Sequence, residues 1–235
     1  MKAWLAWSSG KDSAWSLHVL RAEGRVEVAG LLTTVNASRG RVAMHYVRRE
    51  LLQAQADAVG LPLHLALLRD PCPNDAYETA MRAALGEARS AGIEAIAFGD
   101  LFLEDIRHYR ESQMAGTGLR PLFPLWGRPT PALAREMVAG GLRARVTCVD
   151  PRRLDASFAG REFDARLLGD LPPGVDPCGE NGEFHTFAWD GPGFERPVRV
   201  RSGTVAERDG FVFADLVPEA ADRSEHALLT GGSAT

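Results

Sequence analysis

Two residue types are nearly missing from this chain, and each absence narrows the reading. Lysine occurs only at Lys2 and Lys11 although Lys and Arg together number 27, so almost all positive charge is arginine. Cysteine occurs only at Cys72, Cys148 and Cys178 and never as C-x-x-C. That spacing supports neither a zinc site nor a dithiol redox motif, and a sparse, odd set fits a reducing compartment. No apolar run approaches the roughly 18 residues that suggest a membrane span. The apolar stretch after Met1-Lys2 is interrupted at Gly10-Lys11-Asp12, too early for a signal peptide. A cytoplasmic protein with no membrane partner is therefore expected. The formal net charge of −4 speaks against a general polyanion surface, and hence against a nucleic-acid partner. The rest of the composition, 45% apolar and 25% charged over 235 residues, is ordinary for one large globular domain or a core domain with an appendage.

The apolar pattern alternates between two periods. Short strand-like runs at 3–7, 28–35, 63–68 and 93–98 are separated by helix-like stretches at 13–23, 47–59 and 75–91, and a further helix is expected over 103–115. Gly24, Gly60 and Gly92 stand where helices stop, and Asn74 stands where an N-cap would. Strands alternating with helices predict a doubly wound parallel sheet, in which ligands bind at the carboxyl ends of strands. The texture changes after about residue 118. Pro121, Pro124, Pro129 and Pro131 break the rhythm, and a helix over 132–139 and a strand over 144–149 follow. Later runs at 184–189, 198–205 and 211–217 read as antiparallel strands around an Asp209-Gly210 turn. The expected division is a nucleotide domain over 1–118, a substrate-side domain over 119–222 and a disordered tail over 223–235.

Ser8-Ser9-Gly10-Lys11-Asp12-Ser13 lies between the first strand and the first helix. Small residues let backbone approach a phosphate closely, and the following helix start offers free N–H groups at a positive dipole end. Lys11 adds a point charge, and Ser13 a hydroxyl. A Walker A loop is excluded, because its first glycine and its Ser/Thr after the lysine are here Leu5 and Asp12. The bland alternative is an ordinary strand-to-helix turn. The segment resembles the S-G-G-x-D-S signature of the PP-loop ATP pyrophosphatases, with Ser9 in place of the first glycine. That resemblance implies a loop cradling the β,γ-pyrophosphate of ATP while the α-phosphorus is attacked.

Two further segments carry chemistry. Gly99-Asp100 ends the fourth strand on the same edge as the loop, where Asp100 is a candidate to hold Mg²⁺ on the phosphates. Beyond it, at least one of Arg107 and Arg110 is expected to face the substrate. In the stretch Asp176-Pro177-Cys178-Gly179-Glu180-Asn181-Gly182-Glu183-Phe184-His185-Thr186, the last seven residues pack two carboxylates, an amide, a histidine and a threonine around a glycine turn. Such polar density is expensive to bury and is often functional. His45, beyond the second strand, is a candidate to approach the nucleotide base, whereas His64 in an apolar strand reads as a core histidine.

Together with Pro124-Leu125-Trp126, these segments resemble the diphthine–ammonia ligase family within the PP-loop superfamily, over residues 1–217. The resemblance implies an α/β fold with a HUP-like doubly wound parallel sheet and a smaller C-terminal α+β domain. The family's terminal motif is E-G-G-E-[FY]-E-[TS], and here Asn181 and His185 depart from it. The implied reaction adenylates a carboxylate with ATP, releases pyrophosphate, and lets ammonia displace AMP to leave an amide. The expected ATP-contacting residues are Ser8, Ser9, Gly10, Lys11, Asp12, Ser13, His45 and Gly99. Lys11, Asp12, Asp100 and Glu183 are the expected catalytic set, and Glu180, Asn181, Gly182, Glu183, His185 and Thr186 the expected substrate side. The expected partners are ATP with Mg²⁺, ammonia, and an unidentified carboxylate acceptor that is a small molecule or a protein side chain. The oligomeric state stays open between monomer and homodimer. Two other classes stay open as well: a PP-loop tRNA-modifying enzyme, which predicts catalytic cysteines and a basic face, and a non-catalytic nucleotide-binding protein, which predicts no dedicated substrate element.

Overall fold

A computed structural model describes residues 1–37, 41–42, 47–69 and 72–219. The chain begins with β1 (Lys2–Ala6), α1 (Lys11–Glu23), β2 (Glu27–Asn36), a two-residue β3 (Arg41–Val42), α2 (Arg49–Val59), β4 (Leu63–Leu68) and α3 (Asn74–Ser90). It continues through β5 (Ala95–Ala97), α4 (Glu104–Met114), β6 (Arg120–Leu122) and α5 (Thr130–Ala139). The last part holds β7 (Arg143–Val149), α6 (Ala165–Asp170), β8 (Phe184–Asp190), β9 (Val200–Arg208) and β10 (Phe211–Pro218).

β1 pairs in parallel with β2 on one side and β5 on the other; β4 extends the sheet beyond β2, and β6 extends it beyond β5. The parallel order β4-β2-β1-β5-β6 leaves β1 by opposite routes, so the strand order reverses between β1 and β5. That is the place where ligand crevices form in open α/β sheets. β3 adds a short antiparallel piece at the end of β2.

Strand alternation assigns neighbouring residues to opposite faces. Trp4, Leu32 and Ile96 join Leu85 and Ala88 of α3 in one buried cluster. Leu5, Leu31 and Ala97 join Leu17 of α1 and Leu51 and Leu52 of α2 in the other. Each fully buried Leu or Ile contributes on the order of 1.5–3 kcal/mol, and both faces of the sheet are covered in this way. Gly24 and Gly60 end α1 and α2 in left-handed conformation at φ 66° and 70°, each N–H returning to the preceding turn.

The second sheet has the order β8-β7-β10-β9 and is antiparallel throughout. Asp209 and Gly210, at φ 51° and 80°, make the β9–β10 turn with two positive angles, which suits a right-twisted hairpin. Val146, Phe184 and Phe187 of this sheet share the core cluster that holds Leu5 and Leu17. The α/β architecture with a smaller C-terminal unit is therefore as expected. Several details differ from the sequence reading, the unexpected β3 and α6 among them. β6 adds a parallel strand beyond residue 118, and Asn74 is the first residue of α3 rather than its cap, that position being Pro73. Among the described residues, no helix is long and apolar enough to cross a membrane. The expected tail at 223–235 lies outside the described residues.

Candidate active site

The phosphate loop leaves β1 at the switch point. Ser9 takes φ 71°, a left-handed angle that a residue with a Cβ disfavours, and its hydroxyl is buried without a hydrogen-bond partner. Here lies the physical reason why the related signature carries glycine at this place. Gly10 then starts α1 in extended conformation with no side-chain cap, so the first N–H groups of the helix depend on other partners. The Ser8 hydroxyl accepts from Gly10 N–H at 3.3 Å, and Ser13 Oγ donates to the Gly10 carbonyl at 2.9 Å.

β5 delivers the second element. A Cβ at Gly99 would stand 3.2 Å from the Asp12 carbonyl carbon and 3.3 Å from Ser13 N, so only glycine lets β5 end against the start of α1 without a shift. Asp100 follows, 3.6 Å from Arg110 Nε of α4. Burial raises the Asp100 carboxyl, and Arg110 opposes that rise. The Arg110 guanidinium lies 5.1 Å from the Phe98 ring, whereas Arg107 is held by Glu111 and stacked over Phe123 and Trp126. Arg110 is thus the arginine of this run that reaches the cavity.

The third element is the turn before β8. Lys11, only 2% exposed, donates Nζ to the Cys178 carbonyl and to Asp12 Oδ2, between the rings of Phe163 and Phe184. Burial alone would lower the Lys11 pKa, but Asp12, with Cys178 and Glu180 adding to it, outweighs burial, and the ammonium is held above its ordinary value. Lys11 N–H donates to Thr186 Oγ1 at 3.0 Å. Glu180 accepts from Leu101 N–H at 2.7 Å, so the turn also grips the residue after Asp100. Burial pushes Glu180 up to about 7, with the carboxylates of Asp12 and Asp100 adding to the effect. Inside the turn, Asp176 accepts from Glu180 N–H at 2.9 Å, and Glu183 Oε1 accepts from Asp176 N–H and from Asn181 Nδ2, both at 3.1 Å.

A cavity of about 530 Å³ opens among the three elements, lined in part by Asp12, Asp100, Arg110, Glu180, His185 and Thr186. Asp12 Oδ1 and Asp100 Oδ2 are buried without hydrogen-bond partners. Among the described residues, no group of three His, Cys, Asp or Glu side chains is placed to hold a metal ion unaided. Mg²⁺ typically enters with substrate phosphates and takes one or two carboxylates; Asp12 Oδ1 and Asp100 Oδ2, the latter ion-paired with Arg110 but not hydrogen-bonded, fit that demand. Burial pushes the thiols of Cys148 and Cys178 up to about 12, so neither supplies a thiolate.

Both halves of the chain match known families. A model described as the diphthamide synthase N-terminal domain covers residues 1–121, and one described as the diphthamide synthase C-terminal domain covers residues 130–214. The chain belongs to the diphthamide synthase family. Relatives named diphthine–ammonia ligase include one from Mus musculus, 26% identical over 234 residues, covering 89% of this chain and 86% of that protein. One from Homo sapiens is 27% identical over 230 residues, with the same shares covered. One from Schizosaccharomyces pombe is 29% identical over 119 residues, 49% of this chain and 20% of that protein.

In this diphthamide synthase family chain, the two family segments meet at the cavity. Ser8, Lys11, Asp12, Ser13, Gly99, Asp100, Glu180, His185 and Thr186, drawn from the expected ATP, catalytic and substrate sets, line it together. Ser9 and Gly10 shape the loop from behind. Asn181, Gly182 and Glu183 are not on the lining; the polar groups of Asn181 and Glu183 are turned into the turn itself. The turn touches the phosphate loop directly rather than facing it across a gap. His45 lies outside the described residues. His64, expected in the core, is half-buried, its ring stacked on Trp4 with centroids 3.7 Å apart. Sequence reasoning missed Thr33 and Thr34 of β2 and Tyr77 and Met81 of α3, which also line the cavity. The threonines sit at the carboxyl end of a strand, a place that could have flagged them. The i, i+4 pair Tyr77 and Met81 is indistinguishable in sequence from an ordinary helix face.

Proposed function

We propose that this chain is an ATP-dependent amide-forming ligase that activates a carboxylate as its acyl-adenylate, releasing pyrophosphate, and then transfers the acyl group to ammonia, releasing AMP. The observation that carries the reading is the convergence of the phosphate loop, Asp100 and Glu180 on one cavity at the switch point between β1 and β5. The loop and the start of α1 bind the phosphates through backbone N–H groups and the helix dipole. Asp12 and Asp100 would hold Mg²⁺, which supplies charge neutralisation on the phosphates when bound. Arg110 steadies Asp100 and adds positive charge at the cavity wall.

Positioning and electrostatics carry most of the rate in this chemistry, and no protein nucleophile is needed. The high pKa of both buried thiols agrees with that and weighs against a cysteine-dependent tRNA-modifying reaction. Glu180, His185 and Thr186 form the acceptor side of the cavity, while Asn181, Gly182 and Glu183 set the shape of the turn that presents them. The names of the relatives point to diphthine as the acceptor to try first, with ammonia as the amine donor. Action in the cytoplasm follows from the same reading.

The test is AMP release from ATP in the presence and absence of ammonium, with diphthine-bearing protein and with small carboxylates. AMP that depends on both ammonium and a carboxylate supports the ligase. AMP formed with a tRNA substrate instead, or nucleotide binding with no turnover toward any acceptor, would replace it with one of the other two readings.

A further inference from the structure

Gln55 belongs to none of the motifs above, yet its side chain on α2 is fully buried and each of its polar atoms is used. Its Oε1 accepts from the Trp7 indole Nε1 at 2.9 Å. Its Nε2 donates to the carbonyl of Ser9 at 2.9 Å and to that of Ala188 at 2.5 Å. An indole nitrogen only donates, so the carboxamide can satisfy all three partners in one orientation alone. The Ser9 carbonyl accepts a second bond from Ala188 N–H at 2.9 Å. One amide therefore ties together α2, the end of β1, the phosphate loop and β8.

The bond to Ser9 falls where the loop needs support. Ser9 is a non-glycine residue at φ 71°, and such angles persist where the surroundings over-determine them. The Ser9 hydroxyl makes no hydrogen bond of its own, so the restraint acts through its carbonyl. The next residues are Gly10 and Lys11, which begin α1 and whose N–H groups bond Ser8 Oγ and Thr186 Oγ1. A rotation at Ser9 would re-aim those groups.

We propose that Gln55 is a positioning residue of the phosphate site: it holds the Ser9 carbonyl so that the loop keeps its left-handed shape, and locks that shape to β8. The inference rests on the reading that this loop binds the phosphates of ATP. Gln55→Met keeps the length of the side chain and removes its three hydrogen bonds. Ser9→Gly lowers the penalty of the left-handed angle, so it should lower the dependence on Gln55.

The experiment is a double-mutant cycle on the full chain, reading ATP affinity by calorimetry and amide exchange at Ala188. Gln55→Met is expected to weaken ATP binding about tenfold in the Ser9 background, the scale of a misplaced site, and less than about threefold in the Ser9→Gly background. A general loss of core stability would weaken binding equally in both, and equal weakening, or none, overturns the proposal. If the single variant does not fold, the double variant decides. Folding with ATP affinity within about threefold of Ser9→Gly supports the proposal, and failure to fold makes Gln55 an ordinary core support. If the wild-type protein binds no ATP, the functional reading falls and the exchange data decide on Gln55 by themselves. Exchange at Ala188 at least about tenfold faster in Gln55→Met, with α3 amides unchanged, supports it, and unchanged exchange at Ala188 overturns it.

Discussion

The phosphate loop and the turn before β8 are both short, polar and glycine-bearing, but they are held in different ways. The turn is held from within: Glu183 and Asp176 accept from the N–H groups of Asp176 and Glu180, and Asn181 closes onto Glu183. The loop adds to its own bonds among Ser8, Gly10 and Ser13 a set of ties from outside, by Thr186 and Cys178 through Lys11 and by Gln55 through Ser9. Gly10 N–H and Lys11 N–H are already bonded to Ser8 and Thr186, so the loop keeps its shape partly through its own N–H groups. A turn that presents side chains can use its backbone on itself. The second family segment thus supports the loop of the first and also lines the cavity beside it.

Severing the bridge between the two regions should have the largest effect. Lys11→Met removes the buried ammonium, strands Asp12 without its ion pair and frees the Cys178 carbonyl. Breaking a buried pair on one side costs about 3 kcal/mol or more, and urea denaturation is expected to show it together with weakened ATP binding. Breaking the turn alone comes next. Glu183→Ala should cost about 2 kcal/mol by the same measurement, because the buried Asp176 N–H loses its acceptor. It should abolish acceptor-dependent AMP formation while weakening ATP affinity less than Lys11→Met does. If Glu183→Ala proves the more damaging to ATP binding, the inside-versus-outside contrast fails.

The third prediction concerns Glu180, where the turn grips Leu101. Its carboxyl is raised from the ordinary 4.5 to about 7 by burial, so the folded protein binds that proton more tightly than the unfolded chain. The stability this gives is full below about pH 4.5 and is lost as pH rises through about 7. Glu180→Gln should therefore match wild type in stability at about pH 4 and exceed it by about 1 kcal/mol at about pH 8, after discount for partial exposure. The urea midpoint at the two pH values checks it, and a wild type that gains on the variant at the higher pH contradicts it.

Much of this arrangement is legible in the sequence because its supports are local. The strand–loop–helix at Ser8 to Ser13, the glycine before Asp100 and the turn chemistry of Asp209-Gly210 all follow from neighbouring residues. What escapes is set by distant partners. Gln55 reads as one polar residue on an amphipathic helix, and nothing near it announces carbonyl partners at Ser9 and Ala188. β6 is three residues long and contains Pro121, so no period can register. Glu183 looks like a substrate carboxylate until its partners in the turn are visible.

The smallest effect sharpens the same comparison at its finest point. Ser9→Gly relieves a left-handed angle and removes a buried, unpartnered hydroxyl, offset by the greater freedom of glycine in the unfolded chain. A net gain of about 0.5 kcal/mol in urea denaturation is expected. A loss would mean that the Ser9 side chain does more for the loop than its carbonyl does.

The central claim is that this loop directs cleavage of ATP between the α- and β-phosphates. Phosphorus NMR of a turnover mixture with ammonium and an active carboxylate acceptor reads it directly. Signals of AMP and pyrophosphate should rise together, with none from ADP, and be lost in Asp12→Ala. A clean accumulation of ADP and inorganic phosphate would contradict it.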